Sequence, residues 1–132
     1  MSGDLTLRID LDSAVPAYRQ IVDGLRILLV NGKLAPGSEL PSVRRIAVDL
    51  GVHFNTVAEA YRTLAEEGWL ELRHGRGATV IKRNAPAVNA EQAKEFRHRL
   101  RALVAEMRSQ GASVAKLGLE LRTLADELSH ES

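Results

Sequence analysis

The apolar residues of this chain change their spacing once, and that change restricts the fold more than any other feature of the sequence. Up to Leu64 they recur at intervals of three and four, which is the period of a helix with one buried face. From Trp69 to Ile81 they form two short runs on either side of a glycine-containing turn, which indicates a β-hairpin. The sequence therefore predicts a mainly α-helical domain that ends in a small β-hairpin.

Three helical segments precede the hairpin. The first starts at Pro16, whose missing N–H group is no loss in a first helical turn. We expect Asn31 and Gly32 to supply the left-handed residues that end it. The second is short and is closed by Gly51, and the third runs from about Asn55 to Glu67. Two short helices joined by a tight turn, with a hairpin behind the second, are typical of a winged helix-turn-helix.

A linker separates this region from the rest of the chain. Residues 84–89 are small, uncharged and interrupted by a proline. After residue 89, two segments carry apolar residues at alternating spacings of three and four, with a break at Gly111 between them. We expect Asn89 and Gln92 to form a capping pair for the first segment and Ser113 to cap the second.

Each of these two segments is too short to be stable as an isolated helix. We expect a helical hairpin whose remaining apolar side is covered by a second subunit, although it could instead pack on its own winged helix. The predicted organisation is a winged helix-turn-helix at 1–83, a linker at 84–89 and a helical hairpin for dimerisation at 90–132. The predicted dimerisation residues are Phe96, Leu100, Leu103, Met107, Leu117, Leu121, Leu124 and Leu128.

Enzymatic chemistry has no support in the sequence. The absence of cysteine excludes disulfides, thiolate metal sites and thiol nucleophiles. The four histidines lack metal-ligand spacing, and neither a G-x-S-x-G nor a Walker A motif occurs, so we expect no catalysis, metal or cofactor. The longest apolar runs span four residues and the start of the chain lacks signal-peptide features. We therefore expect no membrane insertion and a cytoplasmic location.

Basic residues are concentrated in the predicted hairpin, although the formal net charge of the chain is only +1. Four Lys and Arg side chains and His74 lie between residues 73 and 83, a segment that contains no acid. A wing tip that approaches the minor groove of DNA needs small residues and a cation, which Gly75 and Arg76 supply. An ordinary hairpin turn would also contain glycine, so the basic side chains carry the DNA-binding interpretation.

The start of the third helix offers side chains for the major groove. Asn55 and Thr56 are short hydrogen-bonding residues at the position from which the second helix of a helix-turn-helix contacts base edges. Asn55 can equally serve as the N-cap, and the two roles are compatible. Arg44 and Arg45 open the shorter helix, where they either clamp a phosphate or form a solvated surface pair.

Several motifs, in this order, resemble the GntR family of bacterial transcription regulators. Within residues 16–81 they are Leu40-Pro41-Ser42-Val43-Arg44, Leu50-Gly51-Val52, Asn55-Thr56-Val57, Gly68-Trp69-Leu70 and Gly75-Arg76-Gly77. The resemblance implies that Arg44 contacts the DNA backbone or a guanine, that residues 53–56 read the major groove and that His74 and Gly75 enter the minor groove. Phe54 and Ala58 depart from the family pattern, in which arginine is frequent at both positions, so the target sequence does not carry over.

The short tail is similar to that of the YtrA-like branch, in which a helical tail pairs subunits. We therefore predict a sequence-specific, DNA-binding transcription regulator, a repressor that binds a palindromic operator as a homodimer. Double-stranded DNA and a second copy of the chain are its partners, and binding of a small-molecule effector stays open. The alternative is a winged-helix assembly module that binds protein instead of DNA. The predicted DNA-binding residues are Arg44, Arg45, His53, Asn55, Thr56, Arg62, His74, Gly75 and Arg76.

Overall fold

The computed structural model describes residues 7–74, 77–83 and 87–129, and within them it contains five helices and three short strands. The mainly helical winged helix-turn-helix fold predicted from the sequence is confirmed. The chain divides into two units, Met1–Asn84 and Ala85–Ser132. The first unit holds three helices and the sheet, and the second holds the remaining two helices.

The first helix, α1, spans Ala17–Val30. Pro16 lies one residue outside it in the N-cap position with an extended ψ of 147°, so the helix begins one residue later than predicted. At the other end Gly32 adopts a φ of 83°, the left-handed conformation that ends helices, whereas Asn31 stays at negative φ. The helix therefore ends where predicted, but the left-handed conformation expected of Asn31 is wrong and Gly32 alone of the two adopts it.

The helix-turn-helix consists of α2 (Val43–Leu50) and α3 (Phe54–Glu66). The hydroxyl oxygen of Ser42 caps α2 by accepting a hydrogen bond from the N–H of Arg45 at 3.1 Å. Gly51 ends α2 with a φ of 72° and so provides the tight turn. The N-cap of α3 is His53, whose Nδ1 accepts from the N–H of Asn55 at 3.1 Å. Asn55 is therefore inside the helix, and the interpretation of Asn55 as its cap is wrong.

The hairpin strands β2 (Leu70–Arg73) and β3 (Gly77–Val80) pair antiparallel, with Leu70 opposite Val80 and Arg73 opposite Gly77. A third strand, β1 (Glu39–Leu40), precedes the hairpin in the chain and pairs antiparallel with the other edge of β3. The sheet order is β1-β3-β2. A strand of two residues carries no detectable period, so the sequence pattern does not predict β1.

The core of the first unit is built around α3. Its four inward-facing residues are completely or almost completely buried: Val57, Ala60, Tyr61 and Leu64. They pack with apolar residues of α1, α2 and the sheet, namely Ile21, Leu25, Ile46, Leu70, Ala78 and Val80. Because α3 touches every other layer of the unit, its orientation is determined by burial on several sides at once.

Two charged side chains hold the ends of α1 and α3 together. Arg26 of α1 donates two hydrogen bonds to the carboxylate of Glu67, which follows α3. The Arg26 guanidinium holds the pKa of the Glu67 carboxyl below its usual value. Nearby, Arg83 lies over the Trp69 ring at 4.9 Å and donates through Nε to the Glu67 carbonyl at 2.7 Å. Arg83 thus serves the packing of this unit.

In the second unit, α4 spans Ala90–Ser109 and α5 spans Val114–Ser129. The predicted capping box of Asn89 and Gln92 is present, and Ser113 accepts from the N–H of Lys116 at 3.1 Å. Among the described residues of this unit Leu117 alone is buried. The other predicted dimerisation residues remain exposed: Phe96, Leu100, Leu103, Met107, Leu121, Leu124 and Leu128.

Gly77 permits a close approach between the hairpin and the start of α2. Its φ is +85°, and a Cβ atom there would lie 2.8 Å from the Leu40 carbonyl oxygen and 2.9 Å from that of Pro41. Gly32 has a similar φ of +83°, but a Cβ there would meet nothing within 4 Å. A side chain at Gly32 would therefore introduce backbone strain alone, whereas a side chain at Gly77 would introduce backbone strain and a steric clash.

We expect Gly32→Ala to lower the free energy of unfolding by about 1 kcal/mol through backbone strain alone. Gly77→Ala should lose about 1–3 kcal/mol more, because the new methyl group must displace backbone. Urea unfolding followed by the fluorescence of Trp69, the single tryptophan, measures both losses. Equal losses for the two variants would show that the close packing at Gly77 is not required.

Candidate nucleic-acid interface

The first turn of α2, one face of α3 and the hairpin surround a groove of about 610 Å³. Phe54, Ala58 and Arg62 are four residues apart along α3, so their side chains lie above one another on a single face of the helix. The groove is lined by Ser42, Val43, Arg44, Phe54, Ala58, Tyr61, Arg62, Leu72, Arg73, His74 and Gly77.

Tyr61 connects the floor of this groove to the core. Its ring is buried, burial raises the pKa of its hydroxyl, and that hydroxyl donates to the Pro41 carbonyl at 2.8 Å. Pro41 is also the residue against which Gly77 packs. The start of α2 and the turn end of the hairpin, at Gly77, are therefore both held at the same short segment of chain, beside α3.

Three side chains from two elements stack at the N-terminus of α3. The guanidinium carbon of Arg44 lies 5.2 Å from the centroid of the Phe54 ring, within the range of a cation–π contact. The Phe54 and His53 rings stack with centroids 4.8 Å apart and an interplanar angle of 25°. The stack places an aromatic ring at a position where the family that the sequence resembles frequently has arginine.

The predicted DNA-binding residues do not all face this groove. Asn55 and Thr56 line a second, shallower hollow with Tyr18 and Glu59, and Arg62 borders both hollows. Arg62 also contacts Glu59, with Nη1 and Oε1 3.3 Å apart. The N-terminal half of α3 therefore presents two differently composed faces, one with Phe54 and one with Asn55.

Arg44 and Arg45 have different surroundings despite being adjacent. Arg44 lines the groove, whereas Arg45 extends along α2 toward Asp49, with Nε 3.4 Å from the carboxylate oxygen Oδ2. Both side chains are exposed. The phosphate clamp and the solvated surface pair both stay predictions for these residues, and the structure shows only that Arg44 lies in the groove and Arg45 beside Asp49.

The described residues of the hairpin contribute two basic side chains to the groove. Arg73 ends β2 and donates through Nε to the hydroxyl of Thr79 across the hairpin at 2.9 Å, and exposed His74 follows it. The predicted wing-tip residues Gly75 and Arg76 lie outside the described part of the chain. Among the described residues that line the groove none is acidic, so its cations add to one positive field.

Eight residues that line the groove were not in the predicted DNA-binding set: Ser42, Val43, Phe54, Ala58, Tyr61, Leu72, Arg73 and Gly77. Of these, Phe54 lies within residues 53–56, which the resemblance assigns to the major groove. Phe54 and Ala58 could have been found from their four-residue spacing to Arg62, which was predicted. Arg73 belonged to the basic segment that the sequence analysis noted, but its position in the groove depends on the strand register. Arg83, from the same segment, is in contact with Trp69 instead.

A helix-turn-helix followed by a hairpin and a cationic groove defines the class of winged helix-turn-helix transcription regulators, and comparison with known proteins identifies the family. The family described as bacterial regulatory proteins, gntR family, matches residues 17–80. The HTH-type transcriptional repressor YtrA of Bacillus subtilis is 35% identical over 112 residues, 84% of this chain and 85% of YtrA. The chain belongs to the GntR family, as the resemblance implied.

Further relatives show how far the similarity extends. The HTH-type transcriptional repressor NagR of Bacillus subtilis is 38% identical over 76 residues, which are 58% of this chain and only 31% of NagR. The solved structure of YtrA from Sulfolobus acidocaldarius, a GntR-family transcription factor, has a TM-score of 0.54 at 30% identity, covering 92% of this chain and 98% of that one. A transcriptional antiterminator from Listeria monocytogenes gives 0.63 at 28% identity, over 92% and 87%. This chain is thus similar to short regulators over most of their length.

The part of the chain that the structure describes contains no candidate membrane-spanning helix. None of the helices there has both the length and the apolar character needed to cross a bilayer.

We expect Arg44→Ala to weaken binding to a labelled random-sequence duplex and to reduce its log-log salt slope by about one, the contribution of one phosphate contact. Arg19→Ala, which removes an exposed arginine of α1 outside the groove, is the matched control. Fluorescence anisotropy across a series of salt concentrations measures both quantities. The same change in both variants would contradict a place for Arg44 in the interface.

Proposed function

We propose that this protein represses transcription by binding a palindromic operator as a homodimer, with α3 of each subunit in the major groove. The observation that carries the proposal is the groove, in which Arg44, Arg62, Arg73 and His74 from three elements lie around one face of α3. A helix with its side chains is about 10–12 Å across, which matches a major groove about 12 Å wide.

In this arrangement the arginines at the edges of the protein groove contact the DNA backbone, and α3 contacts base edges in the major groove of the DNA. Arg44, at the start of α2, and Arg73, at the end of β2, come from two different elements, and both line the groove. Their contacts to phosphates would position the helix, and sequence would be read by residues on α3 itself. His74, with Gly75 and Arg76, would extend the hairpin toward the adjacent minor groove.

The second unit is proposed to pair the subunits. Its α4 has no buried residue in the described chain, and α4 and α5 line an apolar groove that includes Leu100, Val104, Ala105 and Leu121. Large contiguous apolar surfaces mark interaction sites in proteins of this size. The predicted dimerisation residues form one apolar row on each helix, here called the seams: Phe96, Leu100, Leu103 and Met107 on α4, and Leu117, Leu121, Leu124 and Leu128 on α5. Two such helical hairpins related by a two-fold axis would cover each other's seams in a four-helix arrangement.

This division of labour assigns residues 1–83 to DNA binding, 84–89 to a linker and 90–132 to dimerisation. Two-fold pairing would place two copies of α3 on half-sites about one helical turn apart, and this is why a palindrome is proposed. YtrA and NagR of Bacillus subtilis are named as repressors, which supports repression as the direction of regulation. A repressor of bacterial genes acts on the chromosome, so the proposed location is the cytoplasm.

Selection from random duplex DNA tests the proposal directly. We expect successive rounds to enrich sequences with two inverted half-sites, because two subunits contribute to one binding event. Sequencing of the bound pool measures the enrichment. Enrichment of a single, unrepeated half-site would contradict dimeric binding, and no enrichment at all would favour the assembly module.

We expect Leu124→Glu to shift the protein from dimer to monomer and to weaken binding to the selected duplex by at least tenfold, because a charge would be buried in the proposed seam. Leu119→Glu is the control, since Leu119 lies on α5 but outside the seam and is 64% exposed, against 48% for Leu124. Sedimentation velocity measures the oligomeric state. A Leu124→Glu variant that stays dimeric would place the interface elsewhere.

A further inference from the structure

Phe54 is an aromatic residue that the fold leaves partly in water. It is the first residue of α3, it lines the groove and it is 42% exposed, whereas the core-facing residues of the same helix are completely or almost completely buried. An exposed large apolar side chain at the end of a helix adds nothing to the core. Within the groove, it is a site that can contact an apolar group on a ligand.

The neighbours of Phe54 restrict how its ring can move. Arg44 of α2 contacts the ring at 5.2 Å, and the His53 ring stacks on it at 4.8 Å. His53 is itself held, because its Nδ1 accepts a hydrogen bond from the N–H of Asn55 at 3.1 Å. The Phe54 ring is therefore positioned by side chains that are anchored in α2 and in the cap of α3.

The chemistry of the ring determines what it can recognise in a major groove. A phenyl group offers no donor or acceptor for the polar edges of guanine, adenine or cytosine. Thymine presents a C5-methyl group in the major groove, and apolar contact with this methyl is a recognised means of reading thymine. The cations beside Phe54 are suited to phosphates and to guanine, so the two kinds of side chain read different features.

We propose that Phe54 is a specificity-determining residue that contacts the C5-methyl group of a thymine in each operator half-site, with Arg44 and His53 as its positioning residues. The inference rests on the proposed function, since it requires α3 to lie in the major groove. Removing one methyl group from water corresponds to about a fourfold gain in affinity per half-site. Two half-sites together would give roughly fifteenfold.

The test uses the full chain and the duplex recovered from random DNA by selection. Each symmetric pair of thymines is replaced in turn by deoxyuridine, which keeps the base pair and removes only the methyl group. We expect one pair of positions at which the wild-type protein loses roughly fifteenfold in affinity, measured by fluorescence anisotropy at constant salt.

Phe54→Ala should bind the thymine and deoxyuridine duplexes at that pair equally, because the side chain that distinguishes them is gone. Phe54→Leu, which keeps an apolar side chain, should retain part of the discrimination. Val48→Ala removes an apolar side chain of α2 that is 79% exposed and does not line the groove, so it should keep the full wild-type discrimination. Circular dichroism checks the fold of each variant, and Phe54→Leu replaces Phe54→Ala in the comparison if the latter is unfolded.

The outcomes separate this inference from the proposed function. A selected duplex that tolerates deoxyuridine at every position would overturn the role of Phe54 while leaving operator binding intact. Phe54→Ala with undiminished discrimination would assign the methyl contact to another residue and also overturn it. Failure to select any duplex would remove the proposed function, and the inference with it.

Discussion

The buried face of α3 is the constraint on which the rest of the first unit depends. Val57, Ala60, Tyr61 and Leu64 pack against α1, α2 and the sheet at the same time, so α3 cannot rotate without opening contacts on several sides. The face of α3 that points away from the core is consequently held at the protein surface. Tyr61 extends this constraint to the surface, because its hydroxyl fixes the Pro41 carbonyl at the start of α2.

The cationic groove follows from that packing more than from attraction between its own members. Arg44 and Arg73 have like charges, and bringing them together is unfavourable until an anion is present. Arg62, which borders the same groove, contacts the carboxylate of Glu59. The core overcomes this repulsion by fixing the elements that carry them, and Gly77 lets the hairpin approach closely enough to complete the groove. The stability of the fold is thus used to hold charges in place for a polyanionic partner.

The two units differ in where their apolar residues lie. The first unit has a core that α3 shares with every layer, whereas the described residues of the second leave their seams in water except at Leu117. Burying apolar surface stabilises a protein, so a partner that covered the exposed seams would stabilise the second unit. This contrast underlies the proposal that one unit binds DNA and the other pairs subunits.

Local signals in the sequence determined the helix ends, the hairpin and the caps at Asn89 and Ser113, because turn and capping interactions act within a few residues. The two-residue strand β1 needs a partner about forty residues away, so no local signal predicts it. The cap of α3 is also local, since His53 accepts from the N–H two residues further on, but histidine is not among the preferred N-cap residues and so gave no signal. Only tertiary packing decided that Asn55 and Phe54 face different hollows, and that Arg83 covers Trp69. The physical reason is that a side chain's direction and partners depend on which surfaces the core has already buried, and that information is spread over the whole chain.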